Sequence, residues 1–253
     1  MVDITMGAMR ARSEVRWFYV GMAATFVAIA FGGFVPTYWA KLVHGSFSGG
    51  PLLHWHGMLF FGWTLFFLMQ TLFIATGRVV NHRNWGLVGI SLATAMAISV
   101  VIAAIRSIKV ADAISMGDDA RRFAIVSLTG LVVFGVFFTL AIVNVRRADW
   151  HKRYLIVATV PLMQAATARV FMTLFAPPGA VGPPPVFVAV PPGLLVDLLI
   201  VAGMVYDWRT RGRPHPVYVI GLAVNLGVQL LCVPLAGTAA WLAIARAVES
   251  LAG

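Results

Sequence analysis

The chain has 253 residues, of which 60% are hydrophobic and only 11% are charged, and its mean hydropathy is +0.88. These values lie far outside the range of soluble domains, so most of the surface must face lipid. The net charge of +10 comes from basic residues in short segments between apolar runs, which indicates contact with anionic lipids rather than with nucleic acid.

Seven apolar runs follow one another along the chain. Only helices satisfy their backbone in lipid at such lengths, so the sequence predicts an all-α bundle of seven membrane-spanning helices in a single domain, residues 1–253. The predicted helices cover residues 17–40, 53–76, 85–106, 122–145, 152–176, 187–207 and 217–245. The first run is too long for the apolar part of a signal peptide, so we expect the chain to retain it.

Two connections between these runs have a composition that predicts structure. Residues 107–121 are charged and short enough for a small surface helix. The segment 177–193 holds seven of the thirteen prolines and no charge, so it cannot continue a helix. We expect a rigid cap that folds back onto the bundle, with the sixth helix beginning at Pro191 or Pro192.

Basic residues are divided unequally between the two ends of the predicted bundle. The segments before helix 1 and after helices 2, 4 and 6 hold 12 of the 19, whereas the opposite segments hold six. The positive-inside rule therefore predicts an N-terminus inside and a C-terminus outside, in a bacterial inner membrane. The 12 residues are Arg10, Arg12, Arg16, Arg78, Arg83, Arg146, Arg147, Lys152, Arg153, Arg209, Arg211 and Arg213.

One motif recurs at two of these junctions, 69 residues apart: Arg78-x-x-x-His82-Arg83 and Arg147-x-x-x-His151-Lys152. The repetition marks two equivalent helix junctions on one membrane face and suggests an internal duplication. In one interpretation these clusters, with Arg153, anchor the interface and bind lipid phosphates. In the other, His82 and His151 are paired as axial ligands of a haem or as hydrogen-bond donors to a quinone.

Two further histidines, His54 and His56, open the second predicted helix. Residues two apart on a helix point about 200° away from each other, so the two could share a metal ion only where the chain is extended. They could instead be interfacial residues beside Trp55. The spacing of seven residues between His56, Trp63 and Gln70 predicts a stripe that faces the bundle interior.

Arg169 and Asp197 are the charged residues that the predicted spans place well inside the membrane. A charge there costs about 2.5 to 3.5 kcal/mol on insertion scales, so each is a candidate for a functional site. They could form an ion pair that only joins helix 5 to helix 6. We favour a ligand pocket in the outer half of the bundle, beneath the proline-rich cap, formed by His56, Trp63, Gln70, Gln164, Arg169 and Asp197.

The arrangement of these motifs resembles a bacterial family of small polytopic membrane proteins of unknown function. The resemblance covers predicted helices 2 to 5, a little under half of the chain. It implies that the matching residues share a site, but it supplies no chemistry. The matching pattern is His54-Trp-His56-Gly57, Trp63, Gln70, Gly77-Arg78, His82-Arg83-Asn-Trp-Gly86, His151-Lys152-Arg153, Pro161 and Arg169.

Three classes of function fit these observations. The first is a redox or metal-binding protein, an enzyme or an electron-transfer subunit, with haem, a divalent metal or a quinone at a histidine site. The second is a transporter, sensor or binding protein for a small anionic molecule near Arg169. The third is an accessory subunit of an oligomer or larger complex, without a site of its own. A retinal Schiff base is excluded in the last run, because residues 217–245 contain no lysine.

Overall fold

The computed structural model describes the backbone of residues 2–252 and the side chains of residues 17–251. The side chains of Arg10, Arg12 and Arg16, which enter the predicted charge asymmetry, lie outside these residues. All regular structure in the described range is helical. The α-helices are α1 (Val2–Gly33), α2 (Ala40–Val43), α3 (Gly50–Ala75), α4 (Val79–Asp112), α5 (Gly117–Val143), α6 (Ala148–Phe175), α7 (Val190–Arg211), α8 (Pro216–Leu235) and α9 (Ala239–Glu249).

Seven helical stretches in the described range are long and apolar enough to cross a membrane. The shortest has 20 residues, which at about 1.5 Å per residue reaches the thickness of the hydrocarbon core. The prediction of a polytopic, seven-helix membrane protein is confirmed. A π-helix, Val35–Trp39, joins α1 to α2 in the first span, and a 3-10 turn, Val186–Ala189, leads into α7.

The last predicted helix, 217–245, is wrong in its C-terminal part. α8 ends at Leu235, and α9 is a separate helix that begins at Ala239. The side-chain oxygen of Thr238 accepts a hydrogen bond from the backbone N–H of Trp241 at 3.2 Å, which caps the new helix. Trp241 is buried against α5, where its indole N–H donates to the carbonyl of Arg121 at 2.8 Å.

The predicted surface helix over residues 107–121 is also wrong. α4 continues to Asp112 and α5 begins at Gly117, so only a short turn joins them. The charges at this turn are neutralised locally: Arg121 pairs with Asp112 at 2.8 Å and with Glu249 of α9 at 3.0 Å. Two neighbouring helices can therefore extend into the charged segment without leaving an ion uncompensated.

The proline-rich segment behaves as its composition predicts at its C-terminal end. α7 begins at Val190, one residue before the earlier of the two predicted starts, and carries Pro191 and Pro192 in its first turn. Two α6 side chains bond the backbone there: Gln164 donates its amide to the Ala189 carbonyl at 2.7 Å, and Thr167 donates its hydroxyl to the Pro192 carbonyl at 3.2 Å. These bonds attach the turn to the bundle.

α6 lies at the centre of the bundle, in contact with α1, α5, α7 and α8. Its residues Ile156, Val157, Ala158 and Val160 are fully buried. Aromatic contacts show which helix ends meet: the His82 and His151 rings are 6.2 Å apart, and the Trp150 and His215 rings 4.9 Å. We call this the basic end, formed by residues 76–78, 144–147 and 212–215; residues 44–49, 113–116 and 176–185 form the opposite end.

Close approach of α1 to α6 requires glycine at one position, and this generates a prediction. A Cβ at Gly33 would lie 2.5 Å from the backbone oxygen of Ala166, whereas a Cβ at Gly32 would meet nothing within 4 Å. We expect Gly33→Ala to destabilise the protein by about 1 to 3 kcal/mol, because backbone cannot yield as a side chain can. Thermal unfolding in detergent should show this loss, while Gly32→Ala should unfold near the wild-type temperature. Equal behaviour of the two variants would contradict the packing argument.

Candidate functional site

Arg169 and Asp197 do not contact each other, so the alternative of an ion pair between them is wrong. Arg169 is exposed on α6, with its guanidinium 5.9 Å from the centre of the Phe34 ring. Asp197 is 3% exposed and accepts a hydrogen bond from the Gln229 amide at 3.0 Å. α6 turns Thr167 towards α7, and Arg169, two residues later, points about 200° away from it.

The other residues of the predicted pocket contact different helices. Trp63, 2% exposed, donates its indole N–H to the hydroxyl of Thr159 on α6 at 3.3 Å, and Gln70 is also buried. The predicted inward face of α3 therefore holds for these two. His56 is half-buried, and its Nδ1 lies 3.1 Å from the hydroxyl oxygen of Ser99 on α4. The arrangement does not bring His56 together with Arg169 in one pocket.

His54 and His56 also separate from each other. His54 Nδ1 lies 2.9 Å from the hydroxyl oxygen of Tyr38, while His56 bonds to α4. α3 is already helical at Gly50, so the extended backbone that a shared metal would need is absent at this pair. Among the side chains that the structure describes, no three of the types His, Cys, Asp or Glu lie close enough together to hold a metal ion.

Asp197 instead belongs to a polar cluster between α5, α6, α7 and α8. Asn225 is the tenth of the 20 residues of α8, and Thr129 is the thirteenth of the 27 residues of α5. Cys232, however, is the seventeenth residue of α8, and Gln164 bonds the residue before α7, so the cluster extends from the middle of the bundle towards its opposite end. We call it the midplane cluster and define it as Thr129, Gln164, Asp197, Asn225, Gln229 and Cys232.

The midplane cluster depends on a close approach to α7. A Cβ at Gly193 would lie 2.8 Å from Gln229 Oε1 and 2.9 Å from Gln164 Nε2. Glycine at this position lets both glutamine side chains reach the first turns of α7. On the other side of the cluster, the Thr129 hydroxyl oxygen is 3.3 Å from Cys232 Sγ, which joins α5 to α8.

Three buried polar atoms of the cluster have no hydrogen-bond partner in the described part of the chain: Asp197 Oδ1, Asn225 Nδ2 and Gln229 Oε1. Asn225 and Gln229 also line a cavity of about 20 Å³. A cavity of about this size accommodates one water molecule. The lining of this cavity thus includes one unpartnered donor, Asn225 Nδ2, and one unpartnered acceptor, Gln229 Oε1, and Gln229 in turn donates to Asp197.

The buried ion pair of the bundle lies at the basic end, between Arg153 of α6 and Asp207 of α7. Arg153 Nε donates to Asp207 Oδ2 at 2.8 Å, and its Nη2 donates to Asp207 Oδ1. The two side chains are 2% and 0% exposed. Sequence reasoning placed Arg153 in an interfacial cluster and passed over Asp207, although Asp207 is the last residue of the predicted span 187–207.

Further bonds extend this pair into a network that we call the basic-end network. Arg153 also donates to the backbone oxygen of Asp149 at 2.7 Å, and the Asp149 carboxylate accepts from Lys152 at 2.9 Å. The backbone N–H of His215 donates to Asp207 Oδ2 at 3.3 Å. The network joins α6, α7 and the turn before α8, and its charged side chains are engaged with one another. We therefore assign it a structural role.

The repeated motif places its two histidines side by side. Their ring centres are 6.2 Å apart, and both residues are half-buried. His151 Nδ1 donates to the carbonyl of Ala141 at 2.8 Å, whereas His82 Nδ1 is buried without a hydrogen-bond partner in the described structure. The guanidinium-bearing residues of the motif, Arg78, Arg83 and Arg147, are exposed, as an interfacial cluster requires.

Comparisons of the chain with models of protein families, with curated proteins and with solved structures gave no match. The resemblance to a bacterial membrane-protein family therefore stays a prediction. Any assignment of function has to come from the geometry of the sites themselves.

The ion pair generates the next prediction. Asp207→Asn should destabilise the protein by about 3 to 5 kcal/mol, because it leaves the Arg153 charge buried without compensation. The matched control is Asp119→Asn, which removes a half-exposed partner of Arg122 at 3.4 Å and should cost about 0 to 1 kcal/mol. Thermal unfolding in detergent measures both. A loss at Asp207 no larger than the loss at Asp119 would contradict the importance of the pair.

His215 predicts a dependence of stability on pH. Burial lowers the pKa of its imidazole, and the positive charges of Arg153 and Arg211 lower it further. Its Nδ1 accepts a hydrogen bond from the backbone N–H of Val217 at 3.3 Å and so caps α8, which requires the neutral ring.

Above the ordinary histidine pKa of about 6.5, the folded and unfolded chains are both neutral at His215, and its contribution is complete. As the pH falls below that value, the unfolded chain takes up a proton before the folded chain does, so stability is lost. We expect His215→Asn to keep the cap and to reduce this loss in melting curves recorded across mildly acidic pH. An unchanged pH profile in His215→Asn would show that other groups cause the loss.

Proposed function

We propose that this membrane protein carries protons through its bundle at Asp197, either as a proton-coupled transporter or as the proton-carrying subunit of a larger complex. One observation carries the proposal. Asp197 is buried near the middle of the bundle, its hydrogen-bond partner is the neutral side chain of Gln229, and its Oδ1 has no partner in the described structure.

The argument rests on how a carboxylate can be neutralised in hydrocarbon. An unpaired charge is costly there, and carboxylates inside membrane spans mark proton and ion pathways. Asp207, on the same helix, is neutralised by Arg153 within the protein. Asp197 has no cationic partner among the described side chains, so we infer that the neutralising charge comes from a proton or a bound cation.

The size and polarity of the site favour a proton. The cavity of about 20 Å³ is lined by Gln229, the hydrogen-bond partner of Asp197, and has room for about one water molecule. In this proposal a water there passes the proton towards Asp197. A metal ion such as Ca²⁺ or Mg²⁺ needs about six oxygen ligands, and the unpartnered Nδ2 of Asn225 is a donor that would oppose a cation. Arg169, which the expected anionic ligand would contact, lies against Phe34 and outside this cluster.

The surroundings of the cavity suggest an entry side. Val186 and Ala189, which precede α7 at the opposite end, line it together with Gln164. In the orientation that the positive-inside rule predicts, this end faces outwards. A proton would therefore reach Asp197 from the outer face, below the proline-rich segment.

A metal-binding role is a second candidate function. It is supported by the contact between His82 and His151, which lies at the basic end and shares no residue with the midplane cluster. The two roles are independent, because the histidine pair lies at the basic end, whereas Asp197 lies in the midplane cluster.

The proton-carrying role is tested by infrared spectroscopy of the protein in lipid. The wild type should show the carbonyl band of a protonated carboxylic acid, with an intensity that changes with pH. Asp197→Asn should remove this band without lowering the melting temperature, because asparagine has the same shape and no charge. In liposomes that contain a pH-sensitive dye, the same variant should abolish proton entry driven by a membrane potential.

Asp119→Asn is the matched control, because it removes a half-exposed carboxylate that water and Arg122 already stabilise. It should retain both the band and the proton entry. A band that persists in Asp197→Asn would show that Asp197 does not carry the proton, and the proposal would then be wrong.

A further inference from the structure

The two copies of the repeated motif converge on one point of the molecule. His82 is the fourth residue of α4, and His151 is the fourth residue of α6. Their imidazole centres lie 6.2 Å apart with the ring planes at 76°. Equivalent positions of the motif thus contribute one imidazole each to the same place, and neither belongs to the midplane cluster.

Hydrogen bonding leaves nitrogen atoms of both rings free. The Ala141 carbonyl can only accept, so the 2.8 Å contact means that His151 Nδ1 carries the proton and that Nε2 keeps its lone pair. A backbone carbonyl that holds the other ring nitrogen is the usual way in which a metal-binding histidine is oriented. His82 Nδ1 is buried and has no hydrogen-bond partner in the described chain, which is uncommon for a buried polar atom.

We propose that His82 and His151 bind one cuprous ion, Cu⁺, between them. A metal–imidazole bond of about 2.0 Å, and about 1.1 Å from nitrogen to ring centre, puts two imidazoles on opposite sides of a metal with their centres about 6.2 Å apart. The observed separation of the ring centres is also 6.2 Å, so the arrangement needs only that each ring turn its free nitrogen towards the other. The angle between the ring planes does not matter for a linear arrangement, because each ring can rotate about its own bond.

The number and charge of the neighbouring groups select this ion. The described residues offer no third His, Cys, Asp or Glu to the pair, whereas zinc almost always takes four ligands. Imidazole is a good ligand for copper, and Cu⁺ is stable with two ligands in line. The basic residues Arg83, Arg147 and Lys152 of the same motif lie within four residues of one histidine or the other along the chain, so a monovalent ion is repelled less than a divalent one.

The nearest carboxylate on the same turn of α6 is already engaged. Asp149 accepts from Lys152 at 2.9 Å and from Arg153 at 3.1 Å. On the helix it also points about 200° away from His151. Because both histidines are half-buried at the basic end, the ion would stay within reach of a soluble carrier at the membrane surface.

The experiment uses the full-length protein in detergent under anaerobic conditions, with Cu⁺ as the probe and a chromogenic Cu⁺ chelator as the competitor. We expect one Cu⁺ per chain, and X-ray absorption should show two nitrogen ligands and no sulfur. His82→Asn and His151→Asn should each weaken binding by at least about tenfold. His54→Asn and His56→Asn are the matched controls and should bind as the wild type does.

His82→Asn is the cleaner variant, since His82 Nδ1 has no hydrogen-bond partner to lose, whereas His151→Asn also removes the bond to Ala141. Cu⁺ should raise the melting temperature of the wild type and leave that of His82→Asn unchanged. The proposal is overturned if the wild type binds no stoichiometric Cu⁺, if His82→Asn binds it with wild-type affinity, if sulfur appears among the ligands, or if Zn²⁺ displaces it. None of these outcomes depends on proton transport at Asp197.

Discussion

The ion pair between Arg153 and Asp207 determines how the central helix meets its neighbours. It joins α6 to α7 at the basic end, and the His215 backbone bond to Asp207 adds the start of α8. Because both charges are buried and joined by two hydrogen bonds, a rotation or shift of either helix that broke the pair would leave a charge without compensation. The midplane cluster is built by the same three helices together with α5, so the position of its side chains depends on this contact.

Two aspartates on α7 show how one residue type serves two purposes. Asp207 is neutralised by an arginine of the protein and contributes structure, whereas Asp197, ten residues earlier, has an uncharged partner in Gln229. The low dielectric of the bundle strengthens the Asp207 ion pair and raises the cost of an unpaired charge on Asp197. A carboxylate that is paired with an arginine stays ionised and does not need to bind a proton. A buried carboxylate without a cationic partner is neutralised by a proton or a bound cation.

Glycines at two helix contacts also help to place the proposed sites. Gly33 lets α1 lie against the backbone of α6, and Gly193 admits the glutamine side chains of the midplane cluster to α7. Lipid provides little hydrophobic drive for association between helices, so such close contacts and buried polar bonds have to supply it. The histidine pair lies outside these contacts, between α4 and α6, where a duplicated helix junction brings two equivalent residues together.

The sequence by itself determined the seven membrane spans, the start of α7 at its prolines and the divergence of His54 from His56, because each depends on local properties: apolar length, proline geometry and helical periodicity. It could not show that α8 ends at Leu235, since apolar residues continue into α9. Nor could it identify the ionic partners. It paired Arg169 with Asp197 by depth alone, but the tertiary structure pairs Arg153 with Asp207 instead. The depth of a residue in the membrane follows from its position along an apolar run. The face that each helix turns towards its neighbours is decided only when the whole bundle packs.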